Sequence, residues 1–142
     1  MKVMFDTNVY ISYIRSGHHQ HHLEKRGTVK YLAATVLMEL WAGAKTKKAE
    51  GLLRKNLKPY IGTGRVATLR AEHFLAVGQF LAKAPKEYEA LVKTARFLND
   101  VLIAFTASSI GAVLFTEDRD HFEIITGRLP SLKVEYLSPN RI

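Results

Sequence analysis

Two short segments of this chain are apolar without interruption and then meet an acid: "VMFD" at residues 3–6 and "AVLFTED" at residues 112–118. A strand with one face on solvent alternates apolar and polar side chains, because successive side chains point to opposite faces. A strand that is apolar at every position is buried on both faces. Parallel sheets covered by helical crossovers are where that happens. The pattern therefore restricts the chain to an α/β architecture around a mainly parallel sheet. It also puts Asp6 and Asp118 just past the carboxyl ends of two strands, where such sheets gather their chemistry.

The other segments agree. "NVYISYIRS" has helical spacing and stops at Gly17, and "HHQHHLEKRG" follows as a polar, mobile connection or a frayed helix. "VKYLAA" is a second strand, and "TVLMELWAGA" a buried helix with Thr35 as its N-cap. A basic helix over residues 46–58 is broken by Pro59 and "GTG". "LRAEHFLAVGQFLAK" is an amphipathic helix, and another runs from Lys86 to about Leu98. "DVLIAFTASSIG" is a helix ending at Gly111, and "KVEYL" is the last strand. The alternation of strands with helices predicts a three-layer sandwich in one domain over residues 1–142.

The 142 residues are 47% apolar and include no cysteine, which excludes disulfides and thiolate metal sites. Asp6 and Asn8 interrupt any signal-peptide core, and "YLAATVLM" is far too short to span a bilayer. The expectation is a cytoplasmic protein with no membrane association. Net charge is +8, from 21 Lys and Arg against 13 Asp and Glu, which favours anionic partners.

Charge is scarce around certain carboxylates. Asp6 is the only charged residue between Lys2 and Arg15, Glu39 between Lys30 and Lys45, and Asp100 between Arg96 and Glu117. The four aspartates of the chain are Asp6, Asp100, Asp118 and Asp120. Each acid alone reads equally as a helix cap or half of an ion pair. If they converge, two carboxylates about 5 Å apart at an effective dielectric of about 20 repel by roughly 3 kcal/mol. A divalent cation compensates that cost. Oxygen donors without His or Cys point to Mg²⁺ or Mn²⁺ and away from zinc.

The four segments "MFDTNVYIS", "LMELWAGA", "LNDVLIAFTA" and "FTEDRDHF" resemble, in order, the acidic motifs of PIN-domain nucleases, and among them the VapC-type toxins of prokaryotic toxin–antitoxin pairs. The resemblance runs from residue 3 to about residue 138. It implies an α/β/α sandwich and Mg²⁺- or Mn²⁺-dependent hydrolysis of RNA phosphodiesters. It implies Asp6, Glu39, Asp100 and Asp118 as catalytic metal ligands, with Asp100 opening its helix. Thr7, Asn8, Asn99 and Thr116 would orient them or their bound waters, and Asp120 would be an auxiliary or structural acid. The implied partners are RNA, a small antitoxin and a second copy of the chain.

Lys45, Lys47, Lys48, Arg54, Lys55 and Lys58, with Glu50 the one acid among them, follow the Glu39 helix. They form an RNA-binding stretch or a solvated helix face. Tyr10, Tyr13, Leu37, Leu40 and Trp41 exceed what one sheet face needs, so some of them either line a partner groove or complete the core. The run "HHQHH" (His18–His22) is set aside as a metal site, because adjacent histidines rarely converge on one ion. His73 belongs to packing or surface, and His121 to the neighbourhood of the acids without being a ligand. "GTG" at 62–64 is a turn, since no "GK[ST]" follows. A haloacid-dehalogenase-type phosphatase needs an aspartate where Asn8 stands. A housekeeping PIN nuclease and a non-catalytic PIN-like binding module remain the alternatives to a toxin.

Overall fold

The computed structural model describes residues 1–139, so the last three residues of the domain expected over 1–142 lie outside the described ones. Strand β1 is Lys2–Phe5, with Val3, Met4 and Phe5 fully enclosed. Helix α1 (Thr7–Ser16) starts directly after Asp6 and ends at Gly17, whose φ of 73° closes it with a left-handed cap. A four-residue helix α2 (Gln20–Leu23) leads to β2 (Val29–Ala33). Helices α3 (Ala34–Ala42) and α4 (Lys47–Ile61) cross over to β3 (Val66–Ala67), and α5 (Ala71–Ala82) follows. Then come α6 (Ala95–Ile110), β4 (Val113–Thr116), α7 (Arg119–Thr126) and β5 (Lys133–Tyr136).

All five strands are parallel, in the order β3-β2-β1-β4-β5. The chain builds outward from β1 on one side, then returns to start the other side with β4. The carboxyl ends of β1 and β4, paired Phe5 to Phe115, therefore flank a topological switch point. The core packs Met4, Phe5, Leu32 and Leu114 from the sheet against Val9, Leu57, Phe97, Ile103 and Phe122 from the helices. Among the described residues no helix is long and apolar enough to cross a membrane.

Several boundaries differ from the sequence expectations, each for a local reason. Ala33, not Thr35, precedes α3; it offers no side-chain cap, and burial of Val36 and Leu40 holds the helix start. Pro59 lies inside the last turn of α4, where it costs one backbone bond, and Thr63 Oγ1 donates to its carbonyl at 2.6 Å. The helix expected from Lys86 is two short 3₁₀ turns, Lys86–Tyr88 and Leu91–Lys93. Thr94 caps α6 by accepting from the Phe97 N–H at 3.3 Å, so Asp100 lies in the second turn and does not open the helix. β3 is two residues long, too short to show a period. Helix α7 follows directly from its Asp118 cap. The His18–His22 run is ordered against the sheet: His22 lies 5.2 Å from the Phe115 ring, and His18 Nε2 lies 3.1 Å from the Ser138 carbonyl.

Candidate active site

The Asp6 N–H donates to the Phe115 carbonyl at 2.9 Å, locking the end of β1 to β4. One Asp6 carboxylate oxygen accepts from the Thr7 N–H (2.8 Å) and caps α1; the other accepts from the Thr116 hydroxyl (2.7 Å). Thr116 Oγ1 in turn accepts from the Asp118 N–H at 3.0 Å. One fully buried hydroxyl thus ties two of the acids together.

Glu39 reaches in from α3, half-buried, and both its oxygens are held. Thr7 Oγ1 donates to Oε1 at 2.7 Å, and Asn99 Nδ2 donates to Oε2 at 3.3 Å. Asn8 Oδ1 accepts from the Glu117 N–H at 3.2 Å, joining α1 to the loop after β4. Asp100 projects from α6 and is 7% exposed. Asp118 caps α7 through Oδ1, which accepts from the His121 N–H at 3.1 Å, leaving Oδ2 toward Asp100 and His121. Asp120 is exposed in the first turn of α7, where a negative charge favours the helix end.

The sequence reading kept His121 out of the ligand set. The structure puts its Nδ1 2.6 Å from Asp100 Oδ2 and 3.4 Å from Asp118 Oδ2. Among the described residues, Asp100, Asp118 and His121 form the one group whose candidate donor atoms all lie within 4.8 Å of one another. The ring edge of Phe97 sets the imidazole orientation, at 5.3 Å and 83°. The donor set at this point is mixed nitrogen and oxygen. Arg96, one turn before Asp100, lies 3.6 Å from Asp118 Oδ2, so a cation is nearer the cluster than the sequence suggested. Its i,i+4 spacing to Asp100 was the legible signal for it.

Burial and mutual repulsion dominate the electrostatics. Asp6 is pushed up from 3.8 to about 7, first by burial, then by the negative charge of Asp100, against hydrogen bonds from Thr116 and Thr7 that act to lower it. Asp100 is likewise raised to about 7, by burial, then by Asp118 and Glu39, with Arg96 opposing. These carboxyls are near enough to perturb one another strongly, and Arg96, exposed and 3.6 Å from Asp118, offsets only part of the sum. A divalent cation is the kind of occupant that would fill the remaining deficit.

Beside the acids lies a second network that sequence reasoning missed. Glu117 Oε2 accepts from the Ser12 hydroxyl at 2.8 Å and lies 2.5 Å from His19 Nε2. The His19 side chain is 5% exposed, and its φ of 68° is the left-handed region that non-glycine residues seldom enter. Ninety-eight residues separate His19 from Glu117, so no local pattern announces the pair.

The apolar side chains of α1 and α3 divide. Tyr10 and Leu40 are core. A groove of about 250 Å³ between α1, α3 and α4 is lined by Ile11, Ile14, Leu40, Leu52 and Leu53, with Glu39 and Arg15. Of the five residues proposed from sequence, Leu40 alone reaches it. Tyr10 and Tyr13 line a different pocket.

A five-stranded parallel sheet with carboxylates converging at its switch point is the arrangement of a PIN domain. The PIN domain family model matches residues 3–126, and the chain belongs to that family of nucleases. Its fold is similar to that of a chain in the structure of VapBC2 from Rickettsia felis bound to a DNA fragment from their promoter. The identity is 26% over 96% of this chain and 98% of that one, with a TM-score of 0.62. A chain of DNA-bound VapBC from Salmonella typhimurium is also 26% identical, with the same coverage and a TM-score of 0.61. VapBC-1 from nontypeable Haemophilus influenzae, at 22% identity, 96% and 98% coverage and a TM-score of 0.68, shares the fold. No curated protein matches the sequence.

Proposed function

We propose that this chain is a divalent-metal-dependent endoribonuclease, the toxin of a toxin–antitoxin pair. The observation that carries the reading is the convergence, in a PIN-family fold, of Asp100, Asp118 and His121 beside the enclosed carboxyl of Asp6. A divalent cation would neutralise that cluster.

Asp6, Glu39, Asp100 and Asp118 would hold the ion, with His121 as a fifth donor. Carboxylate oxygens suit Mg²⁺ or Mn²⁺, and the imidazole inclines the site toward Mn²⁺. When bound, the metal supplies Lewis acidity and positive charge against a scissile phosphate. The chain's own residues do the rest. Thr7 and Asn99 fix both oxygens of Glu39, and Thr116 fixes Asp6, so little reorganisation is needed on loading. Asn8 holds the loop that carries Asp118. Asp120, exposed, acts on α7 and not on substrate.

Lys45, Lys47, Lys48, Arg54, Lys55 and Lys58 are all exposed on or beside α4 and would draw RNA phosphates toward the site. Arg54 also stacks over the Trp41 ring at 5.4 Å, a flat cation–aromatic surface suited to an unpaired base. The groove lined by Ile11, Ile14, Leu40, Leu52 and Leu53 would take an apolar face of the antitoxin, whose basic side chain would reach Glu39. Phe74 and Leu75, 54% and 64% exposed on α5, support a homodimer. The described residues carry no membrane-spanning helix, and we read the protein as cytoplasmic.

The test is cleavage of total RNA by purified protein with Mg²⁺, with Mn²⁺ and with chelator, followed by mapping of the cut sites. Discrete metal-dependent cuts, absent from Asp100→Asn, are expected. RNA bound but uncut under all conditions would replace this reading with a non-catalytic module. Cleavage by a chain that is harmless on expression and captures no protein encoded beside it would make it a housekeeping nuclease.

A further inference from the structure

A pocket of about 360 Å³ lies between α1, α2, β2 and α4 and shares no residue with the acidic cluster. Its lining includes three cations, Lys30, Lys55 and Arg65, and no carboxylate. No ion pair to any of the three is found among the described residues; Lys30 Nζ donates to the Lys25 carbonyl at 2.7 Å. Lys30 and Arg65 are close enough that the guanidinium, after burial, helps depress the lysine's pKa. Like charges gathered in a cleft whose own lining holds no carboxylate are unfavourable unless an anion joins them; the acid that acts nearby is Glu24, on Tyr13.

Two buried polar atoms reinforce the point. Arg65 Nε and the Tyr10 hydroxyl are both enclosed and make no well-formed hydrogen bond, although the Tyr60 hydroxyl lies near that of Tyr10. Tyr10 is 2% exposed and lines the pocket. Buried donors are normally paired, so Arg65 Nε beside a cavity marks where a ligand's acceptor belongs, and a ligand oxygen there would compete with Tyr60 for the Tyr10 hydroxyl. Arg65 is also placed by design of the backbone. Its N–H donates to the Tyr60 carbonyl (2.8 Å), and its carbonyl accepts from the Leu32 N–H (2.9 Å). The main chain of Arg65 is thereby fixed just before β3, and its guanidinium carries the fork that matches phosphate oxygens. The volume falls within the range of small-molecule sites, roughly 300–1,000 Å³, and Tyr13, Leu23 and Pro59 give it an apolar wall.

We propose that this pocket binds a phosphate monoester carried on a nucleoside, through Arg65, Lys30, Lys55 and the Tyr10 hydroxyl, with Tyr13 against the base. The ligand is either a free mononucleotide or the phosphorylated end of an RNA strand. The site does not depend on the nuclease reading: none of its residues lies in the acidic cluster, and only Lys55 is shared with the basic face of α4.

The test is calorimetric titration of the whole chain in chelator, which removes metal-bridged binding at the acids. The probes are adenosine, adenosine monophosphate, and a short oligoribonucleotide with and without a 5′-phosphate. Adenosine monophosphate should bind more tightly than adenosine. Arg65→Gln and Lys55→Gln should each weaken it, the first by about tenfold. Tyr10→Phe should weaken it without lowering the melting temperature of the free protein. Lys86→Gln, an equal charge loss on an exposed turn away from the pocket, should leave binding unchanged. Preference for the 5′-phosphorylated oligonucleotide over both the mononucleotide and the 5′-hydroxyl form identifies an RNA end as the ligand; equal or weaker binding identifies the free nucleotide. Equal binding of adenosine and its monophosphate overturns the proposal. So does an equal loss in Lys86→Gln and Lys55→Gln, which would mean unspecific attraction to a basic surface.

Discussion

Asp100 Oδ2 and His121 Nδ1 lie 2.6 Å apart, joining the second turn of α6 to the first turn of α7 across the acidic cluster. The imidazole is the nearest donor to a carboxylate that Asp118 and Glu39 repel and Arg96 only partly offsets. Octahedral ligands about 2.1 Å from an ion sit roughly 3.0 Å from their neighbours. The His121 separations from Asp100 and Asp118, 2.6 and 3.4 Å, bracket that value. His121→Phe keeps the ring against Phe97 and removes the nitrogen. It should lower Mn²⁺ affinity about tenfold and Mg²⁺ affinity much less. Nitrogen coupling in the Mn²⁺ paramagnetic resonance signal of the wild type should vanish in the variant. A wild-type spectrum without nitrogen coupling would remove His121 from the ligand set.

The pH dependence of the metal-free protein follows from the two raised carboxyls. Asp6 and Asp100 rise from 3.8 unfolded to about 7 folded, so the folded state binds more protons between those values. Their contribution to stability is fully present below 3.8 and is lost as pH rises through about 7. Asp100→Asn cannot lose it. The variant should therefore gain on wild type as pH rises from about 4 to about 7.5, by roughly 1–3 kcal/mol in urea denaturation. Added Mg²⁺ should stabilise wild type and not the variant. A stability gap that stays flat with pH would sink this electrostatic account.

Asp6→Asn and Asp100→Asn should both abolish metal-dependent RNA cleavage, yet they should differ in stability. Asp6 accepts from both the Thr7 N–H and the Thr116 hydroxyl, and Thr116 already accepts from the Asp118 N–H. An amide nitrogen turned toward Thr116 would meet a hydroxyl whose proton has lost its acceptor. Asp6→Asn should thus be about 1 kcal/mol less stable than Asp100→Asn at pH 7.5, measured by thermal unfolding in chelator. The reverse order would show that repulsion at Asp6 outweighs its hydrogen bonds.

What was legible in the sequence depended on how local its cause was. The uninterrupted apolar strands announced a parallel sheet, because full burial leaves no polar position. Lone acids in apolar segments announced Asp6, Glu39 and Asp100, because an isolated carboxylate there has no local partner. Helix starts were less legible: Thr94 caps α6 from outside the "LNDVLIAFTA" motif, and α3 begins on packing without a side-chain cap. The role of His19 was out of reach, because Glu117 and Ser12 meet it only through the tertiary fold. The pocket around Arg65 is a property of cavities and unpaired atoms, which no residue pattern encodes.

The His19–Glu117–Ser12 network ties α2 and α1 to the loop carrying Asp118. His19→Ala leaves Glu117 with the Ser12 hydroxyl and relieves the left-handed backbone little, since alanine also disfavours it. We expect a loss of about 1–3 kcal/mol, with Glu117→Gln costing less and the double variant less than the sum. A double-mutant cycle in urea measures the coupling. Strictly additive losses would mean that the two side chains adjoin without supporting one another.

The basic face of α4 gives the last expectation. Lys47 and Lys48 are exposed in its first turn and line none of the described pockets, so their loss separates RNA steering from the pocket at Arg65. Each single-strand phosphate neutralised contributes about 0.7 to the slope of log affinity against log salt. Lys47→Gln with Lys48→Gln should flatten that slope by about 1.4 for a short oligoribonucleotide, while metal affinity and melting temperature stay unchanged. Fluorescence anisotropy across a salt series reads it directly. A slope equal to wild type would mean that RNA reaches the acids over another face, and the next positions to vary would be Arg96 and Arg119 beside Asp118.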